Sequence, residues 1–179
     1  INSFDKVGVI GAGGGLGIHM LKMLNLNNIS SIGIDTKTEK FEVCNRNGAE
    51  FSISPMDNDL KNKINEFSKG CDLDVVIDFV SSKSSLELGA SILGKGGRLV
   101  TLGGSGENFL ANSSDMLVKE LELIGSRYCT KQELKESLDL FARGLIKPLV
   151  SIKTDFNGAE ELHNKIEIGE ITGRAGILI

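Results

Sequence analysis

The sequence is short of cysteine, histidine and tyrosine: its 179 residues include three, two and one of them. Cys44, Cys71 and Cys129 are odd in number, far apart and in no CxxC pattern. Such a set builds no disulfide framework and, from this chain alone, no zinc site. It suits a reducing compartment, so a cytoplasmic location is expected, with three half-buried, inert thiols. No apolar run approaches the ~18 residues of a membrane span, so no membrane partner is expected. Positive charge is not in excess: 20 Lys and Arg against 24 Asp and Glu leave a formal net charge of -4. The overall basic footprint of a nucleic-acid binder is therefore missing. Internal repeats, low-complexity segments and a signal peptide are not seen. Residue 1 is Ile, and a hydrophobic strand begins almost at once. The expectation is that the protein continues upstream of this chain.

What is present reads as one ordinary domain with a core, at 40% hydrophobic residues. Short β-branched segments predict strands over Lys6–Ile10, Ser31–Asp35, Glu50–Ser54, Leu73–Asp78, Gly97–Leu102 and Leu121–Ser126. Helical patterns lie between most of them. Gly14–Leu26 is apolar nearly all round, with His19, Lys22 and Asn25 as a thin polar stripe. Thr36 and Glu39 have capping-box spacing, which predicts a helix starting just after Asp35. Leu60, Ile64 and Phe67 mark the inward face of a third helix, and Ser84–Leu93 a fourth. Alternating strands and helices predict a parallel sheet of about six strands with helices on both faces. The continuous apolar run at Val75, Val76 and Ile77 agrees, because such strands are covered on both sides. The rhythm changes after about Arg127. Leu134, Leu138, Phe141 and Leu145 form an amphipathic helical face, Pro148 breaks the chain, and Ser151–Thr154 reads as extended. Asn157 and Glu160 could cap a further helix, and Ala175–Ile179 reads as a last strand.

The informative stretch is residues 7–17, Val-Gly-Val-Ile-Gly-Ala-Gly-Gly-Gly-Leu-Gly. A hydrophobic strand runs into five glycines within seven residues and then into a helix. Glycines there permit a tight turn and close approach of the backbone to a pyrophosphate. The helix N-terminus adds free N–H groups and a partial positive charge. The G-x-G-x-x-G spacing is not met, since Leu16 stands at its third glycine; Gly11, Gly14 and Gly17 recur every three residues instead. A bare turn is the competing explanation. The second strand, however, ends in Asp35, eighteen residues after Gly17. A carboxylate there accepts hydrogen bonds from adenosine ribose hydroxyls and repels a 2′-phosphate, which favours NAD over NADP. Its competing role is a helix cap.

Gly-Ala-Gly-Gly-Gly-Leu-Gly (11–17), Ile-Gly-Ile-Asp (32–35), Asp-Val-Val-Ile-Asp (74–78), Gly-Gly-Arg-Leu-Val-Thr-Leu-Gly (96–103) and Ile-Gly-Ser (124–126) resemble the coenzyme domain of medium-chain, zinc-type alcohol dehydrogenases. The likeness runs from Lys6 to the end and takes in Ile-Lys-Pro (146–148) and Gly-Arg-Ala-Gly-Ile-Leu (173–178). It implies a Rossmann α/β fold with NAD as cofactor. Residues 1–127 would be the NAD-binding domain and 128–179 an extension belonging partly to a catalytic domain. Gly11, Gly14, Gly15, Leu16 and Gly17 would form the pyrophosphate turn. Asp35 would hold the adenosine ribose, with Lys40 nearby unless that lysine is a solvated helix residue. Leu102 and Gly103 would line the nicotinamide pocket, although Leu102 would serve equally as core. Ser126 and Tyr128 would offer backbone groups to the carboxamide, or Tyr128 would anchor the domain boundary. Arg174 would reach back to the pyrophosphate; as the bland alternative it is a surface arginine.

The resemblance places catalytic zinc, its ligands and the proton relay in upstream sequence absent here. His19 and His163 match no ligand position and are expected to face solvent. The chain alone should therefore bind a coenzyme and catalyse nothing, while the full-length protein moves hydride between NAD(H) and an alcohol or carbonyl substrate. Pairing of the last sheet strand across a two-fold axis is implied, giving a homo-oligomer. A zinc-free quinone or enoyl reductase using NADPH, and a non-catalytic nucleotide-sensing module, are the alternatives.

Overall fold

The computed structural model describes all residues 1–179 and is an α/β protein built on a six-stranded, fully parallel sheet. The strands are β1 (Val7–Ile10), β2 (Ser31–Ile34), β3 (Ser52–Ile53), β4 (Leu73–Asp78), β5 (Leu93–Thr101) and β6 (Glu122–Gly125), in the order β3-β2-β1-β4-β5-β6. This is a doubly wound Rossmann order, reversing direction between β1 and β4. Helices α1 (Gly17–Leu26), α2 (Phe41–Arg46), α3 (Leu60–Phe67), α4 (Lys83–Ser91) and α5 (Ser113–Lys119) connect the strands.

Strand alternation divides the core in two. Val7, Val9, Val75 and Ile77 pack with Ile18 and Leu21 of α1. Ile10, Leu73, Val76 and Leu99 pack with Ile64 of α3 and Leu86 of α4. Side chains of one strand point alternately to opposite faces, so strands without polar positions require helices on both. The small residues tighten this packing: a Cβ on Gly89 of α4 would lie 2.8 Å from Leu99 Cδ1 on β5.

Several expectations are corrected. The Thr36–Glu39 box does not form: a 3-10 turn, Thr38–Lys40, with Lys37 at its N-cap and no side-chain cap, precedes α2. The fourth helix ends at Ser91, and Leu93 already belongs to β5. Helix α5 had no clear sequence signal. The thiols are not uniformly half-buried, since Cys44 is buried and Cys71 and Cys129 are exposed. Burial pushes the Cys44 thiol up to about 11, helped by the Asp35 charge.

Beyond β6 come α6 (Lys131–Ala142), β7 (Val150–Thr154), α7 (Ala159–Glu167) and β8 (Arg174–Ile177). β7 and β8 pair in parallel as a separate two-stranded sheet. Asn157 does not cap α7, which has Gly158 at its N-cap; Asp155 caps the 3-10 turn Phe156–Gly158 before it, accepting from Gly158 N–H at 3.2 Å. The amphipathic face on α6 is real but uncovered: Leu134, Leu138 and Phe141 are each about half exposed, and α6 buries no residue.

Candidate coenzyme-binding cleft

A cleft of about 720 Å³ opens beyond the C-terminal ends of β1, β2 and β4. In a doubly wound sheet this is where the connections part to opposite faces and leave a crevice. Gly11, Gly14, Gly15, Leu16 and Gly17 line its floor, Asp35 and Lys40 one side, and Arg174 faces them from the tail. Eight of the twelve site residues read from the sequence therefore meet in one place.

The glycine turn is enforced by sterics. Gly11 adopts φ 75°, a conformation that residues with Cβ rarely take. A Cβ on Gly17 would overlap the Gly11 carbonyl oxygen and lie 2.7 Å from Ala12 Cα, so strand and helix can cross only without a side chain there. At Gly14 a Cβ would meet only the Gly11 carbonyl, at 3.2 Å, which leaves that stretch of backbone open. Helix α1 has no acidic residue in its first turn and no side-chain cap, so its N-terminal dipole is not neutralised.

Asp35 organises the neighbouring loop. Its Oδ2 accepts from Gly13 N–H at 2.8 Å and its Oδ1 from Lys37 N–H at 3.0 Å. Each oxygen retains capacity for a further donor. Lys40 is not solvated: it is 4% exposed, and its ammonium donates to the carbonyls of Gly169 (2.6 Å) and Ile171 (2.8 Å). It acts as a tether for the tail rather than a free cation.

The tail is held onto the glycine turn at further points. Gly173 N–H donates to Gly13 O at 3.0 Å. His19, expected in solvent, instead lies between Gly15 O (2.7 Å, Nδ1) and Leu149 N–H (3.1 Å, Nε2). Nε2 can accept that bond only while unprotonated, so the proton belongs on Nδ1. Lys22 donates to Lys147 O at 2.7 Å, and burial lowers its pKa. The polar stripe on α1 is thus a docking stripe. His163 remains exposed beside Glu167 at 3.6 Å.

This docking brings Arg174 over the turn. A Cβ on Gly15 would touch its side chain, 2.8 Å from Nε. The other candidate cations are engaged: Arg98 pairs with Asp5 at 2.9 Å, and Arg127 stacks on Tyr128 at 4.4 Å. The guanidinium of Arg174 has no acidic partner.

Leu102, Gly103, Ser126 and Tyr128 sit at the ends of β5 and β6, outside the cleft lining. Leu102 is half-buried, packed against the Val75–Ile77 face. Gly103 N–H is taken by Ser81 Oγ and Ser126 N–H by Thr101 O, both at 2.9 Å. Tyr128 is 86% exposed with φ 59°. The sequence reading also missed the β4–α4 turn. Phe79, Val80, Ser82 and Ser85 line the cleft, and Ser82 with Ser85 forms a capping box on α4. The available signal was their place directly after a predicted parallel strand.

The sequence profile of zinc-binding dehydrogenases matches residues 15–143. The chain belongs to the zinc-binding dehydrogenase family. Within it, a NAD-dependent alcohol dehydrogenase of Sulfurisphaera tokodaii is 28% identical over 167 residues, 93% of this chain and 48% of that protein. A D-arabinose 1-dehydrogenase (NADP(+)) of Saccharolobus solfataricus is 24% identical, over 95% of this chain and 48% of its own length. The crystal structure of the alcohol dehydrogenase from Aeropyrum pernix superposes with a TM-score of 0.87 at 27% identity, covering 96% of this chain and 49% of that one. This zinc-binding dehydrogenase chain thus spans about half the length of the curated relatives it matches.

Proposed function

We propose that the chain is the NAD-binding portion of an alcohol dehydrogenase-like oxidoreductase. The observation that carries this reading is the placement of an uncommitted guanidinium, Arg174, and a carboxylate, Asp35, on the two sides of an open glycine turn. A pyrophosphate at the turn would be held by N–H dipoles together with the one full positive charge of Arg174, whose side chain lies against Gly15. Asp35 receives the ribose hydroxyls of the adenosine half. The cleft volume suits a cofactor. When bound, the nicotinamide supplies the hydride chemistry, and the residues here bind and orient it. In the full-length protein the substrate would be an alcohol or carbonyl compound. Residues 1–127 form the coenzyme-binding unit in this reading, and 128–179 contribute to a catalytic domain while closing the cleft. Its place of action is the cytoplasm.

Arg174→Ala tests the anion site. A charge-assisted hydrogen bond contributes roughly 1.5–3 kcal/mol, so NAD affinity should fall about tenfold or more. The thermal midpoint of the coenzyme-free chain should stay unchanged, because the guanidinium pairs with no acid. Unchanged affinity by calorimetry removes Arg174 from the site.

The residues present do not fit a zinc ion, since no three His, Cys, Asp or Glu side chains are grouped to hold one. The purified chain is expected to oxidise no simple alcohol and to retain no stoichiometric zinc. One tightly held zinc per chain by metal analysis, or coenzyme turnover, contradicts that.

The free edge of β6 supports self-association. The strand pairs only with β5, and Leu123 and Ile124 are 40% and 38% exposed. An edge with unpaired backbone groups is a template for a second copy. Light scattering should give a dimer mass, and Leu123→Pro, which removes a donor from the free edge, should give a monomer. A wild-type monomer at high micromolar concentration refutes this.

A further inference from the structure

The turn after β4 contains a residue whose conformation asks for a reason. Ser81 has φ 55° and is 4% exposed. Asn28, Lys69, Asp72, Glu120 and Tyr128 share the left-handed backbone, but none of them is buried. For a residue with a Cβ this conformation is unfavourable and persists only where the surroundings hold it. Those surroundings are identifiable. Ser81 N–H donates at 3.0 Å to Oδ1 of Asp78, a fully buried carboxylate that also accepts from Val80 N–H and the Ser85 hydroxyl. Ser81 Oγ accepts from Gly103 N–H at 2.9 Å and pairs with the Thr101 hydroxyl. Its carbonyl accepts from the Ser105 hydroxyl at 2.5 Å. Thr101, Gly103 and Ser105 all belong to the exit of β5.

Glycine would relieve the backbone here and forfeit the hydroxyl. Serine keeps the hydroxyl in spite of the conformation, and that hydroxyl fixes the β5 exit. A Cβ on Gly103 would lie 2.7 Å from Ser81 Cβ, so the two turns are in direct contact. With the adenosine half at Asp35 and the pyrophosphate at the glycine turn, the other half of a dinucleotide extends over the ends of β4 and β5. We propose that Ser81 is a positioning residue: it sets the Leu102–Gly103 edge, and so the fit of the nicotinamide half, without touching the coenzyme. The inference rests on the reading of the cleft as an NAD site.

Two variants separate the hydroxyl from the strain. Ser81→Gly and Ser81→Ala both lose the hydroxyl, and only glycine sheds the strain. Each chain is titrated with NADH and with ADP-ribose, which lacks the nicotinamide, and its melting temperature is recorded. Both variants should bind NADH about fivefold more weakly, as for one lost hydrogen bond, and ADP-ribose within about twofold of wild type. The glycine variant should melt above the alanine variant, yet its NADH affinity should be no better. The fluorescence enhancement of bound NADH should fall in both. If NADH affinity follows melting temperature, with glycine near wild type, Ser81 is only a packing residue and the proposal fails. Equal weakening for both ligands, or an unchanged NADH to ADP-ribose ratio, also overturns it while leaving the NAD site standing. Wild-type chain that binds neither ligand overturns the reading of the cleft, and this proposal with it.

Discussion

Gly17→Ala should abolish NAD binding and lower the melting temperature of the chain by roughly 10 °C. The added methyl would overlap the Gly11 carbonyl and press on Ala12 Cα at 2.7 Å. Both obstacles are backbone, so neither rotates away. Relief requires α1 to withdraw from β1, and that strand and helix carry Val7, Val9, Ile18 and Leu21, all at 0% exposure. Overpacking a well-ordered core costs about 3 kcal/mol at its upper range, and each kcal/mol lowers the midpoint by about 2–4 °C in a chain of this size. The same withdrawal breaks the anion cradle. Gly14→Ala serves as the partner experiment, because its Cβ would meet only the Gly11 carbonyl at 3.2 Å. That variant should fold normally and bind NAD more weakly, since the methyl enters the cleft. Scanning calorimetry and NAD titration of both variants read the two effects separately. Normal stability and affinity in the Gly17 variant would contradict the account of the turn.

Coenzyme preference should be the other large effect, with NADP(H) bound at least about a hundredfold more weakly than NAD(H). Placing a phosphate dianion beside the Asp35 carboxylate costs several kcal/mol unless a cation intervenes. Lys40 was one candidate to intervene, but its ammonium is already bonded to Gly169 and Ile171 carbonyls. Lys37 remains, half-buried with its N–H on Asp35. Asp35→Ser should narrow the gap by weakening NAD and relieving the repulsion of NADP. One relative at 24% identity is named as NADP-dependent, so the family label alone does not decide the matter. Comparable NADP and NAD affinities in the wild-type chain would remove Asp35 as the selector.

The sheet was legible because its strands are short, contiguous and β-branched between glycines. Leu73–Asp78 was read to the residue, and the two-sided burial followed from its unbroken apolar run. The glycine turn and Asp35 were legible because each precedes or ends a predicted strand. Elements governed by contacts distant in sequence were not. Nothing near Lys40 indicates that its partners lie at 169 and 171, and nothing near His19 points to Leu149. Helix α5, seven residues with none buried, carries no periodic apolar face to read. Ser81 carries no signal in the sequence, because a left-handed backbone has no signature without glycine or asparagine. The Thr36–Glu39 spacing misled for a local reason: the chain after Asp35 turns as a 3-10 helix over Thr38–Lys40, with Lys37 rather than Thr36 at its N-cap.

The measurement that bears most directly on the central claim is a calorimetric titration of the wild-type chain with NAD. The account predicts saturable binding at one molecule per chain, lost in the Gly17→Ala variant and weakened about tenfold by Arg174→Ala. No saturable binding by a chain that melts cooperatively would contradict it.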